Sequence, residues 1–145
     1  MTVESIRSKQ FHRALPSFDR LATGIKHLYE DPHYAARLDE REDFQRIVTG
    51  IMAEHKLDAI AYPGVQIITL KIEDVVGTRF NDVFPTNTSI GSQLRQLAIS
   101  VTVGFTEAGL PVGLELLGML YSEQKLLELA YGVEELAKAR RAPTF

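Results

Sequence analysis

A helical period governs the first part of the chain and short apolar runs govern the second, with the change near Leu57. Phe44, Ile47, Val48, Ile51 and Met52 recur at i, i+3, i+4, i+7 and i+8, while Arg37, Asp39, Glu40, Arg41 and Glu42 crowd the turns before them. This spacing predicts a helix over residues 32–55 with one buried and one wet face. Pro32 suits its first position and Asp31 its cap, because the first turn of a helix leaves backbone N–H groups without partners. Another helix is expected over residues 17–30, ended by the Asp31-Pro32 pair.

Asp58-Ala59-Ile60-Ala61-Tyr62-Pro63 is an apolar run closed by proline, the pattern of a buried strand. Residues 65–70 read as a further strand or an extended connection. No period survives over residues 71–85, a stretch read mainly as loop and long enough to form a functional surface. A short helix follows over residues 86–94, with Thr86 or Asn87 near its cap. Residues 98–105 and 111–117 are β-rich runs joined by Thr106-Glu107-Ala108-Gly109-Leu110, which predicts a hairpin. Both arms are so apolar that both faces of their sheet need cover. Ser122 is placed to cap a last helix with Glu123 at its positive end, and Leu126, Leu127, Ala130, Val133, Leu136 and Ala137 form the expected inward stripe. Residues 140–145 read as a loose tail.

Composition narrows the chemistry more than the fold. At 145 residues, 45% hydrophobic and 24% charged, the chain has the make-up of a globular α/β or α+β protein with few strands, not of a disordered segment. A net charge of −3 with the signs mixed along the chain offers no basic field for a phosphate backbone, so nucleic acid is not an expected partner. The lack of cysteine removes disulfides, thiolate nucleophiles and Cys-based zinc sites, and fits a reducing compartment. No run approaches the roughly 18 uncharged apolar residues of a membrane span, so no membrane partner is expected. Residues 1–20 carry Glu4, Arg7, Lys9, His12 and Arg13 where a secretory leader needs an apolar block, and a cytoplasmic protein is the expectation.

Common catalytic signatures are missing: there is no G-x-S-x-G elbow, Walker loop, G-x-G-x-x-G or H-E-x-x-H. Ser122-Glu123-Gln124-Lys125 matches S-x-x-K, in which a lysine one helical turn from a serine takes its proton. The serine fits a helix cap better, and the companion motifs of that chemistry are absent. His27, Glu30, Asp31 and His33 group loosely, but Asp31-Pro32 breaks the helix between the histidines, so no single face presents them to a metal. Gly109 and Gly113 fit a hairpin turn better than a phosphate cradle. Neither a metal nor a cofactor is expected.

From Asp58 onward the sequence resembles the C-terminal part of the amidase signature family, whose members hydrolyse or transfer the nitrogen of carboxylic amides. The likeness is carried by residues 58–63, by Thr86-Asn87-Thr88, and by Ala98-Ile99-Ser100-Val101 with Gly104-Phe105-Thr106. It continues through Gly109-Leu110-Pro111-Val112-Gly113-Leu114-Glu115-Leu116-Leu117-Gly118 and ends with Ser122-Glu123 leading into Leu126-Leu127. The order and spacing of these segments match, and the helical first block fits less distinctively. The resemblance implies the C-terminal part of the amidase-signature fold: α/β, with helices packed on a small mixed sheet containing a hairpin. The sequence departs from the family where Arg95-Gln96-Leu97 replaces the usual Gly-x-Pro and where Thr102 replaces a proline. An altered backbone near the former pocket is expected there.

Complete members of the family use a serine nucleophile, a second serine in a cis peptide, and a lysine acting through it, all from their N-terminal half. No two serines of this chain are adjacent and no Gly-Gly-Ser cluster occurs to form an oxyanion hole, so no catalytic residue is carried over. The resemblance places Asn87, Thr88, Ser89 and Gln93 toward the substrate, although Asn87 serves equally well as a helix cap and the hydroxyls as bonds to local backbone. The expectation is one partial domain over residues 1–145: a mainly helical block (1–56), a strand-rich block with the final helix (57–139) and a tail (140–145). It would complete the sheet and one wall of an acyl pocket that takes a small amide only in a complete enzyme, and be inactive alone. Its partner would be an N-terminal amidase half. The alternative is a noncatalytic, amidase-derived module that self-associates through its apolar sheet as a homodimer.

Overall fold

A computed structural model describes residues 27–71, 73 and 86–142. Residues 17–26 of the first expected helix, and all but Lys71 and Glu73 of the loop expected over residues 71–85, lie outside the described residues. The described residues fall into two units, 27–38 with 70, 71 and 73, and 39–69 with 86–142.

In the first unit, Leu28–Glu30 is a single 3-10 turn. Asp31 then starts helix α1, Tyr34–Glu54. Its carboxylate accepts the His33 N–H at 2.9 Å and its carbonyl the Tyr34 N–H at 3.0 Å, which is the capping role expected of it. In the second unit α1 ends where Lys56 turns left-handed at φ 53°. Met52 is fully buried there, but Phe44, Ile47 and Ile51 of the expected stripe stay at least 42% exposed. The helix is held to its neighbours through its last turn and through polar contacts, so only one end of the stripe meets the core.

Strands β1 (Ala59–Pro63), β2 (Leu97–Phe105) and β3 (Pro111–Gly118) form one sheet in the order β1-β3-β2. Residues 65–70 are a connection that makes an isolated bridge from Val65 to Thr86. Both described pairings are antiparallel, whereas a mixed sheet was expected. The crossover from β1 to β2 leaves those strands parallel to each other, but β3 inserts between them and runs against both. The expected hairpin is β2 and β3. Its turn is closed by Gly109 N–H to Thr106 O at 2.9 Å and Leu110 N–H to the Thr106 hydroxyl at 3.1 Å, with Gly109 at φ 77° where a side chain would be strained.

Helix α2 (Thr88–Leu94) covers one face of this sheet and α3 (Glu123–Ala137) the other. Leu116, Leu126 and Ala130 are the buried centre of the α3 face, with Ile99, Val101, Leu129 and Val133 against them. Leu127 and Leu136 were expected in this stripe, yet they are 59% and 88% exposed, while Leu129 packs against the buried centre. Ser122 does not cap α3 with its side chain, as had been expected; its hydroxyl donates instead to Met119 O at 2.6 Å, closing the turn after β3. On the opposite face α2 comes so near that a Cβ on Gly91 would stand 3.3 Å from Leu117 Cδ1. Leu94 and Leu117 are buried there, each contributing about 1.5–3 kcal/mol.

Candidate functional site

The residues singled out by resemblance lie where β1 gives way to α2. β1 stops at Pro63, which has no N–H for the ladder, and the chain turns away through the buried Gly64. Segment 86–89 returns to this point and is tied down there. The Asn87 backbone N–H donates to Gly64 O at 2.8 Å, its side-chain amide donates to Pro63 O at 2.8 Å, and the Thr86 hydroxyl donates to Gly64 O at 3.0 Å. Asn87 Oδ1 also accepts from the Gln66 amide at 2.8 Å.

Asn87 therefore occupies the N-cap position without capping through its side chain, which is spent on β1 and Gln66. The local capping contact comes from Thr86, whose hydroxyl accepts the Thr88 N–H at 3.2 Å. Thr88 and Ser89 are exposed at the start of α2, with the Thr86 and Thr88 hydroxyls 2.7 Å apart. Gln93 is exposed near the other end of the helix, one turn beyond Ser89 and so on the same side of it. The structure thus brings Asn87, Thr88 and Ser89 together and leaves Gln93 at a distance along the helix. These groups are neutral hydrogen-bonding partners. The Ser92 hydroxyl reaches toward Thr88 O at 3.4 Å and, among the described residues, neither Ser89 nor Ser92 has a lysine or histidine as a hydrogen-bond partner. Lys125 of the S-x-x-K match is exposed on α3, while Ser122 faces a backbone carbonyl.

Two residues that position this segment escaped the sequence reading. Arg41 of α1 donates from Nε to Gln93 O at 2.7 Å and from Nη2 to Ser92 O at 2.8 Å, binding the last carbonyls of α2 where a cation is favoured. By sequence alone it belongs to the run Arg37, Asp39, Glu40, Arg41 and Glu42 that marks a wet helix face. Glu115 of β3 is only 5% exposed, and its Oε1 accepts the Tyr62 hydroxyl at 2.9 Å. Burial first, then this hydrogen bond and the negative charge of Glu115, hold the Tyr62 phenol protonated well above its ordinary range. The visible signal was a lone acid inside the apolar run from Leu114 to Leu117.

Arg95 follows α2 in the left-handed conformation at φ 53° with its side chain exposed. The backbone there is the one glycine favours. A separate groove of about 430 Å³ lies on the α3 face beside β2, lined by Ile99, Val101, Leu127, Ala130, Tyr131 and Glu134. Among the described residues, no helix is long and apolar enough to cross a membrane.

A family model described as Amidase matches residues 2–127. The chain is 32% identical over 111 residues to a Glutamyl-tRNA(Gln) amidotransferase subunit from Alkaliphilus metalliredigens, a match covering 74% of this chain and 22% of that protein. The corresponding protein of Ralstonia pickettii is 29% identical over 119 residues, covering 77% of this chain and 23% of that protein. Among solved structures, native peptide amidase from Stenotrophomonas maltophilia superposes with a TM-score of 0.66 at 27% identity, covering 98% of this chain and 28% of that one. A peptide amidase in complex with the competitive inhibitor chymostatin gives 0.69 with the same coverage and identity. The chain spans about a quarter of the length of the relatives it matches.

Proposed function

This chain belongs to the amidase family, and from that membership we propose that it serves as the C-terminal region of an amidase-type carboxylic-amide hydrolase. It completes the sheet and forms one wall of the acyl pocket of a single domain of which residues 1–145 are part. The serine nucleophile, the second serine and the lysine come from the N-terminal half, its partner in the complete enzyme. The chain alone is inactive, and its setting is the cytoplasm. The reading rests on one observation: segment 86–89 is clipped to the end of β1 by three hydrogen bonds while Thr88 and Ser89 keep exposed faces. Such a segment offers fixed, uncharged donors and acceptors, which suit a neutral amide. Asn87, Thr88, Ser89 and Gln93 are the substrate-facing set in this reading, with Asn87 contributing chiefly by shaping the segment.

The test is an assay of the purified chain on aliphatic and aromatic amides with mass spectrometry of the protein. No turnover and no acyl adduct on any hydroxyl are expected. An adduct formed without a companion polypeptide would overturn the division of labour, and turnover lost on replacing Ser122 would restore the S-x-x-K reading.

A second reading, self-association of a noncatalytic module, is favoured by a different feature. β2 carries no charged residue and no proline over its nine residues, and it is an edge strand among the described residues. Leu127 and Tyr131 stand 59% and 65% exposed beside it. Edge strands that stay unpaired usually carry charges or proline. A dimer mass in solution supports this reading, and a monomer at high concentration removes it.

A further inference from the structure

Burying a carboxylate is unfavourable unless it is paired, and Glu115 is buried in a strand whose neighbours Leu114, Leu116 and Leu117 are apolar. Its described partner is the Tyr62 hydroxyl. Tyr62 lies directly opposite Glu115 in the β1–β3 register, so their bond closes across the two strands one residue before Pro63, which faces Leu114 with no N–H to donate. The side-chain bond thus ties the exit of β1 to β3 in addition to the backbone pairing. Just beyond it, a Cβ on Gly64 would stand 3.1 Å from Glu115 Oε2, so the carboxylate also packs closely against the bare Cα of that residue. The carbonyls of Pro63 and Gly64 are in turn the acceptors for the Asn87 side chain, the Asn87 N–H and the Thr86 hydroxyl.

We propose that Glu115 and Tyr62 are a positioning couple: by fixing the exit of β1 they set the two carbonyls that hold segment 86–89, and with them the outward aim of Thr88 and Ser89. Its bearing on substrate rests on the amidase reading above; the mechanical linkage itself does not. Neither residue touches substrate in this scheme. Both act through Pro63, Gly64 and Asn87.

Amide-resolved hydrogen exchange of the full chain tests the linkage without any activity measurement. The Asn87 N–H, bonded to Gly64 O, reports the segment, and the Leu126 N–H, bonded to Ser122 O, reports the rest of the fold. In Tyr62→Phe and Glu115→Leu, exchange at Asn87 should rise about tenfold relative to Leu126 as one hydrogen bond is lost, and the Asn87 side-chain NH₂ resonances should move toward those of a free amide. Glu115→Gln keeps an acceptor for the phenol and should stay within about threefold of the unmodified chain. A rise shared equally by Asn87 and Leu126 would mean that the pair stabilises the whole fold without aiming the segment, and would overturn the proposal. So would an unchanged Asn87 in Tyr62→Phe, or a Gln variant as loose as the Leu variant. Should Glu115→Leu fail to fold, Tyr62→Phe and Glu115→Gln carry the comparison, and the side-chain resonances decide it if the Asn87 N–H exchanges too fast to follow.

Discussion

On the α3 face of the sheet, Leu116, Ile99 and Val101 meet Leu126 and Ala130, and the contact is apolar throughout. On the α2 face, Leu94 and Leu117 bury one end, but the other end is held by named donors and acceptors: Tyr62 to Glu115, Asn87 to Pro63 and Gly64, Arg41 to Ser92 and Gln93. Apolar burial is large and has no direction, so it fixes a helix on a sheet without fixing any one group to a fraction of an ångström. Hydrogen bonds contribute less each but impose distance and angle. The α3 face supplies apolar burial, and the polar end of the α2 face fixes where segment 86–89 lies.

The sharpest way to break this contrast is to cut the apolar layer. Leu126 is 5% exposed at the centre of the α3 face, and Leu126→Ala should cost about 2–5 kcal/mol in urea unfolding, removed contacts plus the cavity left behind. Leu127→Ala, on the same helix as the core residues but 59% exposed, should stay within about 0.5 kcal/mol. Equal losses would mean that the groove beside β2 is covered and that the division into a buried and an open stripe of α3 is wrong.

Next in size is Asn87→Ala, which removes the donor to Pro63 O and the acceptor for Gln66 while leaving the apolar layers untouched. A loss of about 1–2 kcal/mol is expected. The pH dependence sharpens the same point. The folded state holds the Tyr62 phenol protonated above its ordinary pKa of 10.0, so above pH 10 it binds more protons than the unfolded chain, and stability present in full below that pH falls as pH rises. Because Tyr62 is only partly buried, solvent screening keeps this effect smaller than the loss of the Asn87 bonds. Comparing unfolding at about pH 8 and about pH 11 in the chain and in Tyr62→Phe isolates it, since the variant should lose less between the two conditions. Equal slopes would detach the phenol from the fold.

The same contrast explains what the sequence disclosed. Elements built by periodic burial were legible: the hairpin came from two apolar runs around a glycine turn, β1 from a run ending in proline, and α3 from its stripe, whereas α1 formed with Phe44, Ile47 and Ile51 of its stripe left exposed. Within α3 the pattern could not distinguish Leu127 and Leu136 from Leu129, because apolar residues surround more of that helix than one face can bury. Ser122 looked like a cap because its residue type is a capping type, yet the tight turn after Gly118 offered its hydroxyl a nearer acceptor. The polar ties were illegible for a different reason. Arg41 lies 52 residues from Gln93 and Tyr62 lies 53 from Glu115, and no local pattern marks which of many charged or hydroxyl-bearing residues a fold will bring together. Segment 86–89 was found through family resemblance alone, and its geometry shows Asn87 fastening the segment.

The smallest expected effect lies at the joint between the two regions, where α2 ends and β2 begins. Arg95 takes φ 53° there, and its N–H and that of Gln96 both bond to Gly91 O, so the left-handed turn is fixed by the helix end and does not relax to suit arginine. Any residue with a Cβ is strained in that conformation by roughly 1–2 kcal/mol, and glycine relieves the strain while losing more freedom on folding. Arg95→Gly should therefore raise stability by only about 0.5–1 kcal/mol, read as a higher urea midpoint with an unchanged slope. The exposed guanidinium has no described partner to lose. A destabilised variant would show that the arginine side chain holds the joint between the placing end and the stabilising layer.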